Sequence, residues 1–326
     1  MIDADRNVLP VAGLREGMFM IAQIVTPETK AGAVPTILMP NPFYHPYAGA
    51  ALAAHGEPVF VPAQVFTDDR GWSIRALLDG SRRDGFKPIH NLGGFLSGAA
   101  TFDPEFFGIS RREAIAMDPQ QRVALRVTWR ALEDAGINPD DLAGHEVGCY
   151  IGASDMRYGP DMAEFSEHSG HLITGTSLAV ISGRIAYTLA LAGPAMTVDT
   201  SCSSALSAVH LAVQGLRAGD CDVALAGGVC VMGAPGYFVE FSKQHALSDD
   251  GHCRPYSAHA SGTVWAEGAG MFVLQRKSAA RRDRRPVLAE VRASVANSDG
   301  RSVGLTAPSR DAQIRLFRRA LHTAGA

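Results

Sequence analysis

The sequence has no run approaching about 18 uninterrupted apolar residues, so no membrane-spanning helix is expected. It has no excess of charge of either sign. Its 30 Lys and Arg against 33 Asp and Glu leave a formal net charge of −3. That balance gives no electrostatic ground for a nucleic-acid partner or an anionic membrane surface. Cysteine is sparse: there are five, at positions 149, 202, 221, 230 and 253, and none is paired as C-x-x-C. An odd count without paired spacing argues against a disulfide framework and for a reducing, cytoplasmic setting. The N-terminus does not read as a secretion signal, because Asp3, Asp5 and Arg6 precede any apolar stretch. No short-period repeat is visible, so a solenoid is not expected.

What is present is ample apolar content, 46% of 326 residues, enough for one large or two modest domains. The stretch from Ala195 to Leu216 organises the rest. Ala195–Val198 is a short apolar run of strand type. Asp199, Thr200 and small residues follow, then Cys202. From Ser203 on, Leu206, Val209, Val213 and Leu216 recur at helical spacing, and Gly219 marks a helix end. This places Cys202 on a strand-to-helix corner, at the positive end of a helix dipole. A thiol at such an end becomes a thiolate more easily, which is how a protein presents a nucleophilic sulfur. Packing is the competing reading of any cysteine in an apolar segment.

Elsewhere Asp118-Pro119 reads as a helix N-cap followed by proline at the first helical position, with Val123, Val127, Ala131 and Leu132 as the apolar stripe. A capped helix start is preferred over a site for MDPQQR. Strands are expected at Val147–Ala153, Asp222–Met232, Gly270–Leu274 and Val287–Val295, and helices at Ser177–Ala192 and Asp311–Ala324. Residues 65–100 are Gly-rich and charged and read mostly as surface loop. Strands alternating with helices predict an α/β fold with a largely parallel sheet covered on both faces. His168 and His171 share a short spacing but have no third ligand nearby in sequence, so no metal is expected.

VDTSCSSALSAVHLA, residues 198–212, resembles the active-site segment of β-ketoacyl synthases of the polyketide and fatty-acid type. FDPEFFGIS, AMDPQQR, ALEDAGINP, ISGRIAYTL, DVALAGGV and GLTAP, spread over Phe102–Pro308, resemble that family in its own order. DDRGW at Asp68–Trp72 resembles the start of a modular polyketide-synthase ketosynthase domain. The likeness runs from about Phe66 to Ala326. It departs modestly at Ser201, where alanine is usual, and at Ala205, where serine is usual.

The resemblance implies a thiolase-like layered αβαβα fold, incomplete at both ends. The expected organisation is an N-terminal fragment at 1–64, the nucleophile-bearing half at 65–262, and the start of the second half at 263–326. It implies acyl transfer to Cys202 followed by decarboxylative condensation, with acyl and malonyl-type groups delivered on the phosphopantetheine arm of an acyl carrier protein. It also implies a homodimer and no bound cofactor, and it makes Thr306 a candidate lining residue of the acyl cavity. The family uses one histidine in HGTGT and one in NIGH to stabilise developing negative charge, and neither motif occurs among the eleven histidines here. His210 reads as packed on the helix after Cys202, not as a base. The expectation is therefore a β-ketoacyl synthase that is acylated but does not condense alone. The alternative is a non-catalytic remnant or dimerisation piece.

Residues 1–64 resemble something else, a fragment of a class I pyridoxal-phosphate aminotransferase. Gly13, Arg15, Glu16 and Gly17 match its phosphate-binding turn and Tyr44 its PNPFY tyrosine. That chemistry needs a Schiff-base lysine. The only lysines are Lys30, Lys87, Lys243 and Lys277, none in a matching context, so an aminotransferase is the least favoured reading. The family's first strand also has no match. Phe19–Val25 or Thr36–Met39 are apolar enough to take its place.

Overall fold

The computed structural model describes residues 92–159, 170–248, 250–255 and 257–325, together with three short strands before them. In chain order the elements begin with strands β1 (Thr36–Pro40), β2 (Glu57–Val61), β3 (Gln64–Val65) and β4 (Leu92–Gly93). Helices α1 (Arg111–Ala116) and α2 (Pro119–Asp134) follow. Then come β5 (Val147–Gly152), α3 (Leu172–Thr176), α4 (Ala179–Thr188) and β6 (Ala195–Val198). The rest are α5 (Ser204–Ala218), β7 (Val223–Cys230), α6 (Gly236–Lys243), β8 (Gly268–Gln275), α7 (Lys277–Arg282) and α8 (Arg310–Ala324).

The central sheet has the order β6-β5-β7-β8. The first three strands are parallel, with Cys149 opposite Ala195 and Leu225, while β8 is antiparallel to β7. Every residue of β5 is buried, as a strand covered on both faces must be. Alternate side chains serve the two faces. Cys149, Ile151 and Leu225 join Val123, Leu132, Ile181 and Ile185 from α2 and α4. Tyr150, Ala224 and Ala226 join Ala208, Ala212 and Leu216 from α5. The described core is thus helices, sheet, helix, in three layers.

Several expectations are met in position. Asp118 caps α2 through its carboxylate, which accepts from Gln120 N–H at 2.7 Å, with Pro119 at the first turn. Gly219 closes α5 with φ of 88°. Three corrections follow. The helix expected at Ser177–Ala192 is the shorter α4, because Ala190 takes a φ of 51° and ends it. Val287–Val295 forms no strand: no neighbouring backbone among the described residues pairs with it, and a strand without a partner has nowhere to place its hydrogen bonds. Thr36–Met39 does not enter the central sheet but pairs in parallel with Glu57–Val61 as β1-β2. Phe19–Val25, Gly13, Arg15, Glu16, Gly17, Tyr44 and His168 lie outside the described residues.

MDPQQR is a set of buried braces. Gln121 donates to the carbonyls of Thr174 and Gly175 at 3.0 and 2.8 Å. Arg122 donates twice to Met117 O and once to the Tyr158 hydroxyl. Arg184 from ISGRIAYTL, 8% exposed, reaches Gln121 Oε1 at 2.6 Å and pairs with Glu113 at 2.7 Å. Each polar group left unmet here would cost about 1–3 kcal/mol, so these motifs pin α2 to α3 and α4.

Burial pushes the Asp118 carboxyl up to about 6, against an ordinary value of 3.8, with the Gln120 hydrogen bonds opposing. The folded state therefore holds this proton more tightly than the unfolded chain. This carboxyl's contribution to stability is greatest below about pH 4 and falls as pH rises from about 4 through about 6, by up to about 3 kcal/mol. Asp118→Asn keeps an oxygen for Gln120 N–H and removes the charge. Its urea midpoint should exceed the parent's at pH 7.5 and converge with it below pH 4. A lower midpoint at pH 7.5 would show that the carboxylate is a net stabiliser.

Candidate active site

Two glycines make the corner possible. A Cβ on Gly152, at the end of β5, would lie 2.3 Å from Ala205 N. A Cβ on Gly228, in β7, would lie 2.6 Å from Ala205 Cβ. Without them the first turn of α5 could not rest on the strand ends. The chain therefore leaves β6 at Val198, makes one 3₁₀ turn at Ser201–Ser203, and enters α5 at Ser204. Cys202 sits in that turn, at the carboxyl end of the three parallel strands, where open α/β sheets place their ligands.

The turn is held by hydroxyls and one carboxylate. Thr200 N–H donates to Ser204 Oγ at 2.8 Å, and Ser204 O–H donates to Ser201 O at 2.6 Å. Ser203 O–H donates to Thr200 O at 2.9 Å. Ser201, just before Cys202, has a φ of 55°. A non-glycine residue there is strained by about 1–3 kcal/mol and persists only where its surroundings fix it. Asp199 Oδ1 supplies the fixing: it accepts from Ser201 N–H at 2.9 Å and from the Ser154 hydroxyl at 2.8 Å. Ser154 O in turn accepts from Gln120 Nε2 at 3.1 Å. A line of hydrogen bonds thus runs from the capped start of α2 to the residue before Cys202.

Cys202 is exposed, while Cys149, Cys221 and Cys253 are buried and Cys230 is partly so. Burial pushes the Cys149 and Cys230 thiols up to about 12. No protein acceptor takes the Cys202 amide hydrogen among the described residues. An exposed sulfur, an unengaged amide beside it and the start of a 15-residue helix form a place where a developing negative charge is favoured.

The other expected residues make no hydrogen bond to Cys202. Thr306 is exposed in the loop before α8, and no hydrogen bond joins it to Cys202. His210 is on α5, with Nδ1 2.8 Å from Ser294 Oγ. A cavity of about 580 Å³ opens at the opposite end of the sheet, near His145, Val147, Asp222 and Arg276, well away from the turn that bears Cys202. Among the described residues no group of His, Cys, Asp or Glu is arranged to hold a metal. The contact between Ser154 and Asp199 escaped the sequence reading because it spans 45 positions and no local spacing signals it.

Iodoacetamide at pH 8 should add first at Cys202, and Cys202→Ala should remove that adduct. Primary labelling of Cys149 or Cys230 in folded protein would contradict the placement. Asp199→Ala strands the Ser201 amide and the Ser154 hydroxyl and should lower the unfolding free energy by about 1–2 kcal/mol, whereas Asp199→Asn keeps the acceptor and should lose less. Equal losses in urea unfolding would show that Asp199 does not hold the turn.

The family described as "Beta-ketoacyl synthase, N-terminal domain" matches residues 61–280. The spectinabilin polyketide synthase system protein NorB of Streptomyces orinoci is 50% identical over 278 residues, 84% of this chain and 12% of that protein. Erythronolide synthase EryA3 of Saccharopolyspora erythraea is 49% identical over 286 residues, 85% of this chain and 9% of that protein. Among solved structures, the oxazolomycin ketosynthase domain OzmH KS7 of Streptomyces albus JA3453 aligns with a TM-score of 0.73 at 37% identity. It covers 81% of this chain and 46% of that one. The ketosynthase from module 6 of the bacillaene synthase of Bacillus subtilis 168 aligns at 0.67 and 34%, covering 81% and 43%. The chain thus spans under half the length of these solved relatives and a small part of the curated ones. Its layered α/β core is of the thiolase-like ketosynthase kind, and the chain belongs to the β-ketoacyl synthase family, with modular polyketide-synthase ketosynthase domains as its relatives.

Proposed function

We propose that Cys202 takes an acyl group from the phosphopantetheine thioester of an acyl carrier protein. The thiolate attacks the thioester carbonyl, a new C–S bond forms, and the carrier's thiol leaves with a proton. The oxyanion that develops is met by amides at the start of α5. The observation that carries this reading is the exposed Cys202 at the glycine-lined junction of β6 and α5, the one exposed cysteine among the five.

The second half of the family's reaction makes a carbanion by decarboxylating a malonyl-type extender on a second carrier. Carbon–carbon bond formation then regenerates the thiol. Charge builds on the extender's thioester oxygen, and imidazoles of the HGTGT and NIGH type are the donors suited to it. Neither motif is in this sequence. The reading is therefore acyl loading without condensation by these 326 residues alone. A homodimer, a cytoplasmic setting and no resident cofactor complete it. No helix among the described residues is long and apolar enough to cross a membrane.

Incubation with a short-chain acyl carrier thioester should add one acyl mass to Cys202 and none to Cys202→Ala. Adding malonyl carrier should release no 3-ketoacyl product. An unmodified Cys202 in folded protein would overturn the loading step, and 3-ketoacyl product would overturn the incompleteness.

A further inference from the structure

Cys202 lies in a turn rich in hydroxyls, and nearly all of them hold the chain in place. Thr200 Oγ1 meets Ser207 Oγ at 2.9 Å. The Ser203 hydroxyl donates to Thr200 O at 2.9 Å, and that of Ser204 donates to Ser201 O at 2.6 Å. On the strand side, the Thr197 hydroxyl donates to Ser182 Oγ at 2.9 Å and the Ser154 hydroxyl to Asp199 Oδ1 at 2.8 Å. The Ser201 hydroxyl is the exception. Among the described residues no hydrogen bond engages it, and Ser201 is exposed.

The backbone beneath that hydroxyl is fixed. Ser201 has a φ of 55°, its N–H donates to Asp199 Oδ1 at 2.9 Å, and its carbonyl accepts from the Ser204 hydroxyl. Only the side-chain rotor remains free, among staggered positions. Consecutive Cα atoms are about 3.8 Å apart. The hydroxyl and the Cys202 thiol therefore spring from neighbouring points of one exposed turn. A hydroxyl both donates and accepts. Covered by a wholly apolar group, it loses water and gains no partner; met by an oxygen, it keeps a hydrogen bond.

We infer that Ser201 is a specificity-determining residue whose hydroxyl favours acyl groups bearing a hydroxyl on their third carbon. The inference rests on the acyl-loading reading above. In that reading the amides at the start of α5 take the thioester oxygen. An oxygen on the second acyl carbon lies beside the thioester oxygen and competes for the same amides. The third carbon is the first whose oxygen is clear of them, and the unengaged hydroxyl of Ser201 is the partner left for it. An acyl chain lacking that oxygen strands Ser201 as it docks.

The test is the loading of Cys202 from 3-hydroxybutyryl and from butyryl acyl carrier protein, each enantiomer of the hydroxyacyl group taken separately. Intact mass follows the reaction, and the ratio of the two second-order rate constants is the quantity read. For one enantiomer the parent chain should favour the hydroxyacyl group by about 5-fold, the size expected of one ordinary hydrogen bond. Ser201→Ala and Ser201→Gly both remove the hydroxyl, and glycine accepts a φ of 55° without strain. Both variants should bring the ratio to about 1. Equal loading of both thioesters by the parent would overturn this inference alone, as would a ratio retained in Ser201→Gly. Loading from neither thioester would overturn the loading reading and this inference with it.

Discussion

The closeness of Ala205 to the strand ends is the constraint from which the rest of the structure follows. With Gly152 and Gly228 beneath it, the first turn of α5 settles onto the carboxyl ends of β5 and β7. Any side chain at either glycine would meet backbone or a Cβ at under 3 Å. That approach forces the chain to turn within three residues, and the tightness of the turn puts Ser201 into a left-handed conformation and Cys202 at the surface. Cys202 is exposed because the helix is close.

Strain of that kind needs support, and the support comes from far away in sequence. Asp199 anchors Ser201, Ser154 anchors Asp199, and Gln120 reaches Ser154 from the start of α2. Arg184, Gln121 and Glu113 bind the same helix to α3 and α4. The polar residues of MDPQQR and ISGRIAYTL are therefore internal girders. Their charge and polarity are affordable only because each donor has a carbonyl or carboxylate within reach.

Much of this was readable from the chain. The N-cap at Asp118, the short strand before Cys202 and the helix after it, the glycine stop at 219 and the parallel arrangement each follow from local chemistry: caps, periodicity, left-handed glycine and βα alternation. What escaped needed pairs of distant residues. Nothing near Ser154 hints that its hydroxyl serves a carboxylate 45 positions on. Val287–Val295 fails in the opposite sense. Its pattern is that of a strand, but a pattern specifies only a face, and a ladder also requires a neighbour.

The antiparallel sense of β8 carries a consequence for direction. Because β8 runs back against β7, Gln275 emerges at the rim of the sheet remote from Cys202. The following segment meets Arg217 through Arg292 and then His210 through Ser294, so it ascends α5 from its tail toward its head. The segment that leads to the loop bearing Thr306 is therefore directed toward the end of α5 that bears Cys202. A parallel final strand would have sent it the other way.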